Sequence, residues 1–274
     1  MSSRFLSAAL IAGGVSVAFA WGAEPVLRVC ADPNNLPFSN AREQGFENRI
    51  ARLAASAMGR QLTYTWYAQR RGFIRNTLDA GTCDAIIGIP HDLDAVDTTR
   101  PYYRSTHVFV TRARDGLALR SMDDPRLARL RIGVHVVGDD YASLPPLQAL
   151  GRRGLVRNVS GYSLYGNYAE SDPPAHLVDA MAMGDVDVAI VWGPLGGYFA
   201  AQQNGRLQVT QMARDTDGPG LPFSYDISMG VRKGDRGLRD TLQSVIDRHQ
   251  AEIDRILRAY RVPLKPLAPP RDGT

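Results

Sequence analysis

Two successive blocks, each alternating short apolar runs with helix-patterned segments, restrict this chain more than any single motif in it. In the first block "VLRVCA" (26–31) reads as a short strand, and "FENRIARLAASAMGR" (46–60) puts Phe46, Ile50, Leu53, Ala54 and Ala57 at helical spacing. "QLTYTWY" (61–67) alternates as a strand does, "RRGFIRNTLDAG" (70–81) predicts a short helix closed by Gly81, and "CDAIIGIP" (83–90) predicts a buried strand. Strands separated by helices imply a parallel sheet with right-handed crossovers. The second block repeats the pattern. It has strands at "LRIGVHVVG" (130–138), "LVRNVSGY" (155–162), "VDVAIVWGP" (186–194) and "LQVTQMAR" (207–214), with helices at "LPPLQALGRR" (144–153) and "PAHLVDAMAMGD" (174–185). The expected fold class is therefore α/β, in two lobes of about equal size.

The last third of the chain continues neither block. "SYDISMGVRKGD" (224–235) predicts a strand. In "LRDTLQSVIDRHQAEIDRILRAY" (238–260) one apolar face is formed by Leu238, Leu242, Val245, Ile246, Ile253, Ile256, Leu257 and Tyr260. Such a helix needs a surface to cover. Packing back on lobe one makes that lobe discontinuous, with 24–112 as its first part, 113–222 as lobe two, 223–262 as the return and 263–274 as a tail. Ligands in such folds sit at the carboxyl ends of strands and between lobes.

The N-terminus, "MSSRFLSAALIAGGVSVAFAWGAEP", has Arg4 ahead of an uncharged apolar run and an Ala18-Phe19-Ala20 cleavage pattern. This predicts a cleaved signal peptide over 1–20, since the apolar run is shorter than the ~20 residues a spanning helix needs. No later segment is apolar enough to span a bilayer, so an exported protein without stable membrane insertion is expected. In an oxidising compartment the two cysteines, Cys30 and Cys83, favour a disulfide, and no C-x-x-C is present. The formal charge of +4 falls by one with Arg4 and is mixed along the chain. No basic stripe with interleaved aromatics occurs, which argues against nucleic acid.

"VDTTRPYYRSTHVFVTR" (96–112) and "GDVDVAIVWGPLGGYFA" (184–200) resemble two segments of type II periplasmic solute-binding proteins, family 3-like. Residues 96–112 are similar to that family's Asp-x-x-x-Pro-Tyr-Tyr entry into a lobe crossing. Residues 184–200 are similar to its Gly-Asp-x-Asp strand and the Pro-rich turn that follows. A narrower set is "CADPNNLPFSN" (30–40), "QGFENRIA" (44–51), "QRRGFIRNTL" (69–78), "GTCDAIIGIP" (81–90) and "TTRPYYRST" (98–106). Together these resemble the J-type accessory proteins (MxaJ/XoxJ) of quinoprotein methanol dehydrogenases. The resemblance implies a type II periplasmic binding-protein fold, two α/β lobes with mixed sheets around a central cleft. It also implies a periplasmic protein that is not an enzyme. Its expected partners are a PQQ-dependent methanol dehydrogenase, whose maturation or activation it would assist, and that enzyme's cytochrome c. The alternative is a receptor delivering a small molecule to an ABC transporter. In this fold the strands carrying Cys30 and Cys83 are neighbours, so the resemblance also implies a Cys30–Cys83 disulfide.

Against the amino-acid-binding members, both ligand clamps are replaced. The position of the carboxylate-gripping Arg falls on Asp92, and that of the amine-gripping acid on Trp192. The loop that commonly meets an anion reads "GDDYAS" (138–143), where Asp139 and Asp140 would repel one. An aromatic cleft is expected, with Phe38, Tyr102, Tyr103 and Trp192 near it, and Tyr141 and Tyr198 as further candidates. Tyr102 and Tyr103 serve equally as ligand platforms or hinge packing, and Trp192 as partner anchor or core filler. Asp32, Asn34 and Asn35 should line the cleft mouth, with Thr99 and Arg100 in the crossing segment beside it. Arg70, Arg71 and Arg75 could bind carboxylates or simply form a solvated helix face. "HDLDAVD" (91–97) lacks metal-site spacing, and "DTDGPG" (215–220) lacks the closing Glu of a calcium loop. No H-E-x-x-H, G-x-S-x-G or C-x-x-C-H occurs, so neither a catalytic set nor a cofactor or metal of its own is expected.

Overall fold

A computed structural model describes residues 25–91, 93–137, 144–164, 168, 170 and 172–268. Its first half comprises β1 (Val26–Ala31), β2 (Asn34–Asn35), β3 (Ser39–Asn40), α1 (Phe46–Ala57), β4 (Gln61–Trp66), α2 (Phe73–Asn76), β5 (Ala85–Pro90), β6 (Asp97–Thr98) and β7 (Tyr103–Arg112). There follow β8 (Ile132–Val136), α3 (Pro145–Arg152), β9 (Val159–Ser163), α4 (His176–Met183), β10 (Val188–Trp192) and α5 (Gly193–Ala201). The chain ends in β11 (Leu207–Gln211), β12 (Ser224–Val231), α6 (Arg236–Ala259) and β13 (Leu264–Lys265).

Apart from β2 and β3, which pair only with each other, these strands form one continuous sheet whose two ends repeat each other. On one side the order is β4-β1-β5-β12, with β1 parallel to β4 and β5, and β12 antiparallel to β5. On the other it is β9-β8-β10-β7, with β8 parallel to β9 and β10, and β7 antiparallel to β10. Each side is thus three parallel strands closed by one strand of opposite direction. The closing strands are where the sides join. Tyr103 to Thr106 of β7 pair with Ile227 to Ser224 of β12, while the rest of β7 pairs with β10 and β11.

Helix α6 returns to the first side. Asp235 caps it by accepting from the Leu238 N–H, and Leu242, Val245, Ile253 and Leu257 are buried in one core with Leu27, Phe46, Ile50 and Met229. The residue His249 has non-helical backbone angles, so α6 is two helical stretches meeting at a kink. On the opposite face of the β1–β5 pair lies a smaller cluster of Phe73, Leu78, Ile86 and the Cys30–Cys83 disulfide, whose Cα atoms are 5.4 Å apart. Beyond these, Val108, Val191, Leu177 and Phe199 pack on one face of the second side, and Phe109, Ile132, Leu150 and Ile190 on the other.

Four segments differ from the sequence expectation. The helix predicted over 70–81 contracts to Phe73–Asn76, because Gly72 enters it in the left-handed region (φ 87°) and Thr77 leaves it. The strand predicted over 155–162 begins only at Val159, after a 3-10 turn at Val156–Asn158. Cys83 lies just ahead of the third strand, which starts at Ala85, rather than opening it. The Pro-rich turn predicted after Trp192 is the helix α5, an apolar segment buried on nearly all sides, which leaves no amphipathic period to read.

Candidate functional site

The loop that leaves β1 is folded back onto the start of α1. Phe46 and Glu47 donate their backbone N–H groups to Pro37 O (2.8 Å) and Phe38 O (2.9 Å). A Cβ on Gly45 would stand 1.9 Å from Phe38 O, so only glycine permits the approach. Asp32, 1% exposed, organises the loop. Its carboxylate accepts from Asn34 N–H (2.8 Å), Gln69 N–H (2.7 Å) and the Tyr168 hydroxyl (2.8 Å). Asn34 donates its side-chain amide to Glu170 O (2.7 Å). Tyr168 and Glu170 follow β9, so these bonds tie the mouth of one side of the molecule to the other.

Behind this mouth lies a cavity of about 310 Å³, at the carboxyl ends of β1, β5, β8 and β10. Phe38, Tyr103, His107, His135, Trp192 and Tyr225 form its aromatic wall, and Ile89, Val134, Ile190 and Leu195 much of the remainder. Trp192 meets His107 and Tyr225 edge to face, with ring centroids 5.3 Å and 5.5 Å apart. Lys and Arg are missing among its described lining residues.

Beside the phenols of Tyr103 and Tyr225, three ionisable groups line this wall. Glu47, in the first turn of α1, is 9% exposed and, among the described residues, its carboxyl has no hydrogen-bond partner. Burial, and secondarily the neighbouring Asp32, pushes it up to about 8. A Cβ on Gly88 of β5 would lie 1.9 Å from Glu47 Oε1, so the strand leaves open the space the carboxyl fills. His107 and His135 are buried, and desolvation lowers each to about 4. His107 Nδ1 is 3.0 Å from Phe223 O, and His135 Nε2 is 3.2 Å from Pro174 O. A carbonyl can only accept, so these nitrogens carry the protons. His107 Nε2 and His135 Nδ1 are left as acceptors.

The residues predicted for the site separate into groups. Asn35, Phe38, Tyr103 and Trp192 line the cavity. Asp32 and Asn34 hold its mouth. Tyr102 lies elsewhere: it is 1% exposed, donates to Ile87 O (3.0 Å) and belongs to the core. Thr99 braces the sheet by accepting from Met229 N–H through its hydroxyl (3.0 Å). Arg100 makes a forked ion pair with Asp247 of α6 (2.8 Å to each oxygen), bordering a separate groove. Arg70 and Arg75 border a different pocket beside Phe73, and Arg71 is exposed. Tyr198 stacks on Tyr260, away from the cavity lining (5.7 Å). Asp92, Asp139, Asp140, Tyr141, the 1–20 segment and the end of the tail lie outside the described residues. Sequence reasoning missed Glu47, His107, His135 and Tyr225. The available signal was Gly88, a glycine inside an apolar strand, which marks a close approach.

Comparison with known proteins agrees with this architecture. Residues 27–262 match the model of the bacterial extracellular solute-binding proteins, family 3. The chain is 34% identical over 251 residues to protein MoxJ of Methylorubrum extorquens, covering 88% of this chain and 82% of that one. It is 27% identical to protein MoxJ of Paracoccus denitrificans, over 88% of this chain and 89% of that one. The crystal structure of the periplasmic binding protein XoxJ from Methylobacterium extorquens superposes with a TM-score of 0.72 at 36% identity, covering 89% of this chain and all (100%) of that one. With the type II periplasmic binding-protein fold, the matched family and these relatives in agreement, the chain belongs to the bacterial extracellular solute-binding proteins, family 3.

Proposed function

We propose that this protein is a non-catalytic periplasmic accessory of a PQQ-dependent methanol dehydrogenase, assisting that enzyme's maturation or activation in methanol oxidation. The observation that carries the reading is the cleft, whose described lining lacks any Lys or Arg and presents Glu47 instead. An amino acid's carboxylate would be buried there without a counter-charge, which is costly. The aromatic and aliphatic wall suits a protruding segment of a partner protein. Likeness to MoxJ and XoxJ proteins, at 34% and 36% identity, supports the choice of partner. Export through the 1–20 signal peptide, division into lobes at the β7 and β12 crossings, and contact with the enzyme's cytochrome c belong to the same proposal.

Deleting the gene should lower dehydrogenase activity, or its quinone or metal content, in periplasm from methanol-grown cells. Tagged protein should also retain the dehydrogenase, and Trp192→Ala should weaken that retention. Unchanged activity and cofactor content on deletion would sink the accessory reading. The second reading, a solute receptor, is favoured by the cavity volume of about 310 Å³, which lies within the range of small-molecule sites. A micromolar hit in a thermal-shift screen of small molecules, together with no retained dehydrogenase, would select it.

A further inference from the structure

We propose that the cleft recognises a primary ammonium group on an apolar body, with Glu47 as its counter-ion and the aromatic side chains of the same cavity packing the stem. The inference rests on reading this cleft as the binding site and names the chemistry it selects.

Glu47 is the one carboxyl lining the cavity among the described residues, it is nine-tenths buried, and no described group satisfies it. His107 and His135 donate their protons to backbone carbonyls and so add acceptors. The other side-chain donors in the lining are neutral: the Trp192 indole N–H, the Tyr103 and Tyr225 hydroxyls, and the amides of Asn35 and Gln69, which bond each other at 3.1 Å. A described lining that holds one buried carboxyl without a partner and no Lys or Arg is complemented by a group that brings positive charge and several N–H donors. An ammonium does both, and Trp and Tyr faces favour a cation and its hydrocarbon stem. A carboxylate ligand would face Glu47 without a partner, and a neutral alcohol would bring no counter-charge to it.

Binding is coupled to the loss of one proton. The carboxyl of empty Glu47 is protonated near neutral pH. On binding it gives that proton to solvent, and the complex holds one carboxylate and one ammonium, so one proton leaves per ligand. The titratable groups that interact with Glu47 are Asp32 beyond β1, Tyr64 of β4, and Tyr102 and Tyr103 at β7. Burial raises Tyr64 to about 12 and holds Tyr102 and Tyr103 well above the usual phenol range, so none of these three releases a proton in the window tested.

The probes are benzylamine, benzyl alcohol and benzoate, which share a shape and differ in charge. Calorimetry in two buffers of different ionisation enthalpy should show benzylamine binding best, with release of close to ~1 proton at about pH 6 and clearly less at about pH 8.5. Glu47→Gln should lower benzylamine affinity at least ~10-fold and leave benzyl alcohol within ~2-fold, while far-ultraviolet circular dichroism confirms that the variant folds. Equal binding of the amine and the alcohol, no proton release, an unaffected Glu47→Gln, or no binding by any probe would each overturn the proposal. A blocked peptide with one lysine, compared with its acetyl-lysine form, tells a protein side chain from a free amine as the natural source. Dehydrogenase retention that survives Glu47→Gln but not Trp192→Ala would refute the ammonium reading and leave the accessory function standing. Amine binding without dehydrogenase retention would do the reverse.

Discussion

Cys30 ties β1 to Cys83, two residues ahead of β5, a link spanning 53 residues of sequence. Cross-linking a loop of that length removes unfolded-state entropy worth about 4 kcal/mol in the chain-entropy treatment. The double variant Cys30→Ser, Cys83→Ser should therefore lose about 4 kcal/mol in denaturant unfolding. It should keep its native fold at low denaturant, because Phe73, Leu78 and Ile86 still pack around the site. A midpoint unchanged from the wild type would contradict this, as would two free thiols in the exported protein. At this scale the pairing was legible, since an exported chain with two cysteines has one intramolecular choice. The partners of Asp32 were not. Its carboxylate is held by Asn34, Gln69 and Tyr168, the last of them 136 positions away. No local pattern carries a contact of that span.

Elements were legible where their apolar residues kept a period and illegible where burial erased it. The α1 and α6 stripes are one-sided, so their helices stand within a few residues of the expected limits. The α5 segment is apolar all round and rich in glycine, which by local preference reads as a turn. Contacts at its glycines explain why it is a helix. Added Cβ atoms on Gly193 and Gly197 would stand 2.4 Å from Thr106 O and 2.0 Å from Arg261 O. The helix is thus seated directly against the backbone of β7 on one side and of the chain after α6 on the other. Gly197→Ala should improve local helix propensity yet destabilise the protein by about 1–3 kcal/mol, because backbone rather than a movable side chain must yield. Urea unfolding of Gly197→Ala beside Gly237→Ala separates the effects, since Gly237 lies in the first turn of α6 and nothing stands within 4 Å of a Cβ there. A stabilised Gly197→Ala would refute the close seating.

The repeated strand order of the whole molecule was legible because each half carries its own alternation, whereas the charge state of the cleft arises only on assembly. Glu47, His107 and His135 come from three elements, and burial shifts them in directions that act oppositely on stability. Each histidine falls from 6.5 to about 4, so the stability it contributes is lost as pH drops from about 6.5 towards 4. Glu47 rises from 4.5 to about 8, so the folded state holds its proton more tightly and stability is lost as pH climbs through that window. Between about 4.5 and 6.5 the histidines outnumber the one carboxyl, and stability should still rise with pH. Above about 6.5 only Glu47 acts among the three, and stability should fall by about 2 kcal/mol towards pH 8. Melting and urea unfolding across pH should therefore show a maximum near pH 6.5 in the empty protein. Glu47→Gln removes the titrating group and keeps its shape, so its alkaline limb should be flat, and at pH 8 it should be the more stable of the two. A wild type with no decline from about 6.5 to 8, or a Glu47→Gln variant that declines alongside it, would mean that the carboxyl is not held neutral in the cleft.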